Sequence, residues 1–270
     1  MPPVEIIRSR SNPLVRRLRG LKEKSDDELC LVEGPKLLRE ALQAGTVIVE
    51  VAATTRWEKA EASQPLRAEL LERGLRIRSL AEDVLHSLSE TETSQGILAL
   101  ARRPRFDESA LLPEHGVPLV VVAVGIQNPG NLGGLLRTAE AAGATSAFLT
   151  EGTADPFSWK VLRGSMGSAF RLPHLRGVDP EATLKRLRGQ GLKVVATVAL
   201  GGSHYASAKL SGRVALVFGS EGPGLPAELL RHADERVTIP LQPPVESLNV
   251  GVAAGILLFE AARQRQGERS

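Results

Sequence analysis

Apolar and polar residues alternate in blocks along the chain, and the period of each block predicts its element. Asn12-Pro13 reads as a helix cap followed by proline at the first helical position. Leu14, Val15, Leu18 and Leu21 then recur at helical spacing, with Arg16, Arg17, Arg19 and Lys22 largely elsewhere on the wheel. Residues 28–32 form a short apolar run, and residues 35–44 a helix stopped by Gly45. Residues 47–53 read as a strand, 66–73 as a helix stopped by Gly74, and 75–79 as extended again. Gln95-Gly96 introduces the apolar run 97–101.

Arg102-Arg103-Pro104-Arg105 follows, and Pro113, Gly116 and Pro118 punctuate the next stretch. This density of breakers predicts a linker at 106–117, between a domain at 1–105 and a second at 118–270. The second domain opens on 119–124, a continuous apolar run suited to a strand buried on both faces. A helix is expected over 132–142, strands over 147–149, 194–198 and 214–218, and a long closing helix over 247–264. Strands alternating with helices predict an α/β fold with a parallel sheet covered on both faces.

Composition changes this picture in three ways. Aromatic residues are 3% of 270, which weakens any model built mainly on base stacking. No stretch approaches the ~18 apolar residues of a membrane span. Cys30 is the one cysteine, which excludes an internal disulfide and a multi-cysteine metal site and fits a reducing, cytoplasmic compartment. His86, His115, His174, His204 and His232 are scattered with no i, i+4 pair, so no metal is expected.

The formal charge of +3 is unevenly spread. The first 24 residues hold seven bases, ending at Lys24, against two acids; the other 246 hold 27 against 29. The basic signal is therefore N-terminal. A transit peptide, a solvated helix face and a phosphate-contacting helix all fit it locally, although Glu5, Glu23 and the acidic run 26–28 count against the first.

Three clusters exceed ordinary loop chemistry. Residues 128–139 carry Asn128, Pro129, Gly130, Asn131, Gly133, Gly134 and Arg137 between a buried strand and a helix, where backbone N–H groups face the strand's end. The order is neither a dinucleotide fingerprint nor a P-loop. Spacing alone also allows a glycine-eased turn with a solvent-facing arginine. In the second cluster the strand 214–218 runs into Gly219, Ser220, Glu221, Gly222 and Gly224. A carboxylate there would repel a phosphate and suits hydroxyl groups or a cation better. In the third, Ile239-Pro240-Leu241 precedes Glu246-Ser247-Leu248-Asn249-Val250. Ser247 is well placed to cap the closing helix, whereas Asn249 inside a first turn has no such explanation.

In this order, the clusters resemble the three motifs of the SpoU/TrmH family of RNA ribose 2′-O-methyltransferases, within the SPOUT superfamily. The carriers are Asn131, Gly133, Arg137, Thr138 and Ala139 with Gly143; then Gly219, Glu221, Gly222 and Gly224; then Ile239-Pro240 and residues 246–250. Ser165-Met166-Gly167-Ser168-Ala169 is similar to a segment these proteins carry between the first two motifs. Residues 9–13, 31–34 and 93–97, the last beginning at Thr93, are similar to the ribosomal-protein-like substrate-binding domain of rRNA-modifying members.

The resemblance implies S-adenosylmethionine as cofactor, a deep trefoil knot in the C-terminal domain, a homodimer, and structured RNA as substrate. It favours 23S rRNA over tRNA; an inactive RNA-binding member is the other alternative. By the same analogy Arg137, Asn131, Glu221, Ser247 and Asn249 are catalytic. Arg137 acts as base or, more soundly for a guanidinium, as a charged group gripping phosphate and the developing alkoxide. Thr197, Phe218, Gly219, Glu221, Ile239, Leu241, Leu248 and Asn249 hold the cofactor. Arg8, Arg10, Asn12, Arg16, Arg17, Arg19 and Lys22 hold RNA.

Overall fold

The computed structural model describes residues 5–23, 26–89, 94–113 and 116–267, so Lys24, Thr93 and His115 lie outside the described residues. The chain forms two compact units: residues 1–104 with 157–170, and residues 105–156 with 171–270.

The first unit begins α1 (Pro13–Glu23), β1 (Leu29–Glu33), α2 (Pro35–Gln43), β2 (Ile48–Thr54) and α3 (Thr55–Lys59). It continues α4 (Gln64–Glu72), β3 (Ile77–Leu80), α5 (Glu82–His86) and β4 (Ile97–Arg102). Its sheet runs β1-β4-β2-β3. Strand β4 is antiparallel to both neighbours, while β2 and β3 are parallel. That central place explains why 97–101 reads as unbroken apolar sequence: all five residues are buried. Helix α1 lays Leu14, Val15 and Leu18 into the same core as Leu31, Leu98 and Leu100. Asn12 caps it as expected, its side-chain oxygen accepting from the Leu14 N–H at 2.9 Å.

The second unit begins α6 (Glu108–Leu111), β5 (Leu119–Ala123), α7 (Pro129–Ala141) and β6 (Ser146–Thr150). The chain then forms α8 (Trp159–Ser165) and α9 (Ser168–Arg171). It resumes with β7 (His174–Val178), α10 (Pro180–Gly189), β8 (Lys193–Thr197) and β9 (Ser203–His204). Strand β10 (Val214–Phe218), α11 (Ala227–Leu230), β11 (Glu235–Thr238) and α12 (Val250–Gly267) complete it. The seven strands are all parallel, in the order β7-β6-β5-β10-β8-β11-β9. The chain moves outward from β5 through β6 to β7, then returns so that β10 enters between β5 and β8. Strands β5, β6 and β10 are buried along their whole length; β5 and β10 are unbroken apolar runs, while β6 buries Ser146 and Thr150 at its ends.

Four expectations change. The stretch expected as a linker carries α6 and buries Leu111 fully in the core with Val120, Phe148 and Leu184. Residues 157–170 belong to the first compact unit despite their place in sequence. Helix α7 starts at Pro129, not Leu132, because Asn128 caps it and proline needs no N–H partner at the first position. Helix α12 starts at Val250, not Ser247. Strands β7 and β11 escaped the reading because their partly exposed positions interrupt the apolar run.

Candidate active site

The parallel strands β8, β10 and β11 end on one side, where an open α/β sheet whose order reverses leaves a crevice. A cavity of about 420 Å³ lies there. Thr197, Val198 and Ala199 line it after β8; Phe218, Gly219, Ser220, Glu221, Gly222 and Gly224 after β10. Val237, Ile239 and Leu241 line it from β11 onward, and Ser247, Leu248, Asn249, Val250 and Leu257 from the approach to α12. Glu221 is the charged residue of this lining among the described residues.

The wall after β10 is shaped by glycine. A Cβ on Gly219 would sit 2.7 Å from both the Gly224 oxygen and the Leu225 nitrogen, so the loop closes on itself only with glycine there. Gly222 and Gly224 have φ of +88° and +68°, the left-handed region. The Gly224 N–H donates to the Ser220 carbonyl at 3.1 Å and closes the turn. The Thr197 hydroxyl donates to the Val217 carbonyl at 2.9 Å and ties the ends of β8 and β10.

Three side chains from distant segments meet at the rim. Asn131 in the first turn of α7 donates from Nδ2 to Oε1 of Glu221. Its Oδ1 accepts from Nδ2 of Asn249 at 2.8 Å, and that same Nδ2 is 3.4 Å from Glu221 Oε1. Asn249 Oδ1 accepts from the Gly251 N–H at 2.9 Å. Asn249 is therefore the cap of α12, and the expectation that Ser247 caps it is corrected. Ser247 precedes the helix by three residues and lines the cavity instead.

Arg137 lies six residues beyond Asn131 on α7, about 9 Å further along the axis and about 120° around it. It is exposed, with no hydrogen-bond or ion-pair partner among the described residues. Asn131 and Arg137 do not line the cavity, whereas every other residue expected to be catalytic or to hold the cofactor does. Val198, Ala199, Val237 and Leu257 line it without having been singled out. Val198 and Ala199 follow the end of β8, a position that marks a region and not a residue, whereas Val237 lies within β11 and Leu257 within α12, where no sequence signal pointed to the cavity.

The expected RNA-holding residues belong to the first unit. Arg8, Arg10, Arg16 and Arg17 are exposed; Arg19 and Lys22 are half-buried. Arg16 donates from Nε to the Ser11 carbonyl at 2.8 Å. The Asn12 carboxamide oxygen is occupied as the cap of α1. The described residues contain no cluster of histidine, cysteine, aspartate and glutamate fit for a metal, and no helix long and apolar enough to cross a membrane. His174 is buried and titrates at about 4, because desolvation disfavours its charged form.

Residues 118–259 match the SpoU rRNA Methylase family, and residues 12–99 match the MRM3-like substrate binding domain. A Bacillus subtilis relative named 23S rRNA (guanosine(2553)-2′-O)-methyltransferase RlmP is 36% identical, over 90% of this chain and 92% of its own length. The Vibrio cholerae 23S rRNA (guanosine-2′-O-)-methyltransferase RlmB is 32% identical, over 76% of this chain and 85% of its own. An AdoMet-bound rRNA methyltransferase from Sinorhizobium meliloti superposes with a TM-score of 0.82 at 32% identity, covering 96% of this chain and 97% of that one. With its methylase match spanning more than half its length, this chain belongs to the SpoU rRNA methylase family.

Proposed function

We propose that this protein transfers a methyl group from S-adenosylmethionine to a ribose 2′-oxygen of 23S rRNA. The observation that carries this reading is the meeting of Asn131, Glu221 and Asn249, one from each motif, at the rim of a single cavity. The cavity suits the cofactor chemically. Leu241, Leu248 and Leu257 offer apolar surface to a purine, and the glycine-rich wall brings backbone polar groups close. Glu221 places a carboxylate where a ligand carrying sulfonium and ammonium charge would be favoured.

Bound there, the cofactor supplies an electrophilic methyl group. The chain's own residues do the positioning, which carries much of the rate of such a transfer. Asn131 and Asn249 hold each other and Glu221 in one arrangement. Arg137, exposed and without a partner among the described residues, lies on the same helix as Asn131 and is available to grip the RNA phosphate and stabilise the developing alkoxide. A guanidinium suits that role better than that of a general base.

The catalytic unit is further read as a deep trefoil knot and as half of a homodimer working in the cytoplasm. The knot is supported by four chain segments closing on one cavity, and by the approach of Gly202 to β11. A Cβ on Gly202 would stand 2.7 Å from the Val237 carbonyl carbon. The dimer is supported by Val252 and Phe259 on α12, seven apart on one stripe and 53% and 54% exposed. The first unit is the RNA-holding domain.

The test is labelled-methyl transfer to 23S rRNA and to tRNA. Transfer to rRNA is expected, and it should be abolished by Arg137→Ala while cofactor binding persists in calorimetry. Transfer to tRNA alone would overturn the substrate, and an undiminished rate in the variant would overturn the role of Arg137.

A further inference from the structure

Three cationic side chains lie over aromatic rings in the first unit, and they differ in setting. Arg103 sits 5.5 Å from the centre of Phe157, but both are buried, 8% and 5% exposed. That contact is part of a core. Trp159 differs: it is half-buried at the first position of α8, with the Lys22 ammonium 5.9 Å and the Lys160 ammonium 5.7 Å from its ring. Trp57, the other tryptophan, is packed away at 7% exposed.

Lys22 connects this indole to the basic helix. It lies one turn beyond Arg19 on α1, so the cationic face of α1 runs into Trp159 and Lys160. Lys160 is exposed and has no carboxylate partner among the described residues. A half-buried indole with ammonium groups over its ring brings together an aromatic surface and cations, the combination that single-stranded nucleic acid selects: the flexible lysines swing from the ring to the phosphates as a base stacks in their place. Low aromatic content argues against a stacking groove but not against a single stacking site.

We infer that Trp159, flanked by Lys22 and Lys160, is a stacking platform for one unpaired base of the RNA substrate. The two ammonium groups take the phosphates on either side of that base. This rests on the proposed RNA methylation and extends it by naming where an unpaired nucleotide is held.

The test uses the full chain and fragments of 23S rRNA containing a single-stranded loop. RNA should quench tryptophan emission in the unsubstituted protein, and the quenching should vanish in Trp159→Phe, where only buried Trp57 emits. Trp159→Ala should weaken RNA binding roughly tenfold with an unchanged salt slope, and Trp159→Phe should recover much of the loss. Lys22→Ala with Lys160→Ala should instead make the slope shallower, by about 0.7 for each lost phosphate contact. RNA binding with undisturbed emission, or equal affinity in Trp159→Ala, would overturn the platform and leave the methyltransferase reading intact. Failure of the unsubstituted protein to bind or methylate RNA would overturn both.

Discussion

Asn249 donates its side-chain N–H to the side-chain oxygen of Asn131 at 2.8 Å, joining positions 118 residues apart. The same residue caps α12 through its Oδ1. One carboxamide thus starts the closing helix and fixes the rim of the cavity, because its donor and acceptor ends face different partners.

Serine and alanine separate those two tasks. Asn249→Ala should lower stability by about 1 kcal/mol through loss of the cap. Asn249→Ser should keep most of that stability, since serine caps well, yet cannot reach Asn131. Both should lose methyl transfer by at least about tenfold, the worth of one orienting hydrogen bond. Denaturant melts paired with methyl-transfer rates decide it. Full activity in the serine variant would show that the bridge is structural only.

Gly219→Ala tests the glycine wall. The added methyl would stand 2.7 Å from backbone atoms of Gly224 and Leu225, which cannot rotate away. The loop after β10 must open, so cofactor affinity by calorimetry should fall more than about tenfold, with stability lowered by roughly 2 kcal/mol. Gly189→Ala, where a Cβ meets nothing within 4 Å, is the control and should change neither appreciably.

Much of this site was legible in sequence because each part sits where a buried parallel strand ends or a helix begins. Strand 214–218 is bounded by its own unbroken apolar run, and Gly219 follows it at once. Helix starts were less legible. Ser247 and Asn249 are both good caps, and only the partners in space choose between them. The association of 157–170 with the first unit could not be read, since order along the chain says nothing about which core Phe157 and Phe170 enter.

The basic helix makes a separate prediction. Replacing Arg16, Arg17 and Arg19 with alanine should weaken rRNA binding at low salt and flatten the dependence of log affinity on log salt. Each lost phosphate contact removes about 0.7–0.9 from the slope. Leu14, Val15 and Leu18 hold α1 in its core, so melting of the variant should change little. An unchanged slope would remove α1 from the interface.

His174 should impose a pH dependence on stability. Its Nδ1 donates to the Leu172 carbonyl at 2.9 Å, and its ring lies 5.0 Å from that of Phe106. Burial holds its pKa at about 4, against 6.5 when exposed. Between those values the unfolded chain binds the proton and the folded chain does not. Stability therefore falls as pH drops from 6.5 toward 4, by up to roughly 3 kcal/mol from this group. His174→Asn keeps a donor for Leu172 and removes the titration. Denaturant melts across this range should be flatter for the variant, and parallel curves would refute the assignment.

Arg265, near the end of α12, fastens the closing helix to two loops, those that lead into β5 and β10. It donates to the carbonyls of Val117 at 2.6 Å, Pro118 at 3.2 Å and Leu210 at 3.2 Å, and also to Gly212. Gln264 beside it donates to the Ala208 carbonyl and accepts from the Leu210 N–H, both within 2.9 Å. A guanidinium reaches several acceptors at once because its donors form a rigid fork, which an ammonium cannot copy. Arg265→Ala should lower stability by roughly 2 kcal/mol, less than the sum of its bonds because the group is partly hydrated. Arg265→Lys should recover only part of this. At 25 °C methyl transfer should persist in both, because Leu257 and Leu258 still bury the middle of α12 and Asn249 still caps its start. Thermal melting that does not move in Arg265→Ala would show that the helix is held by its apolar face alone.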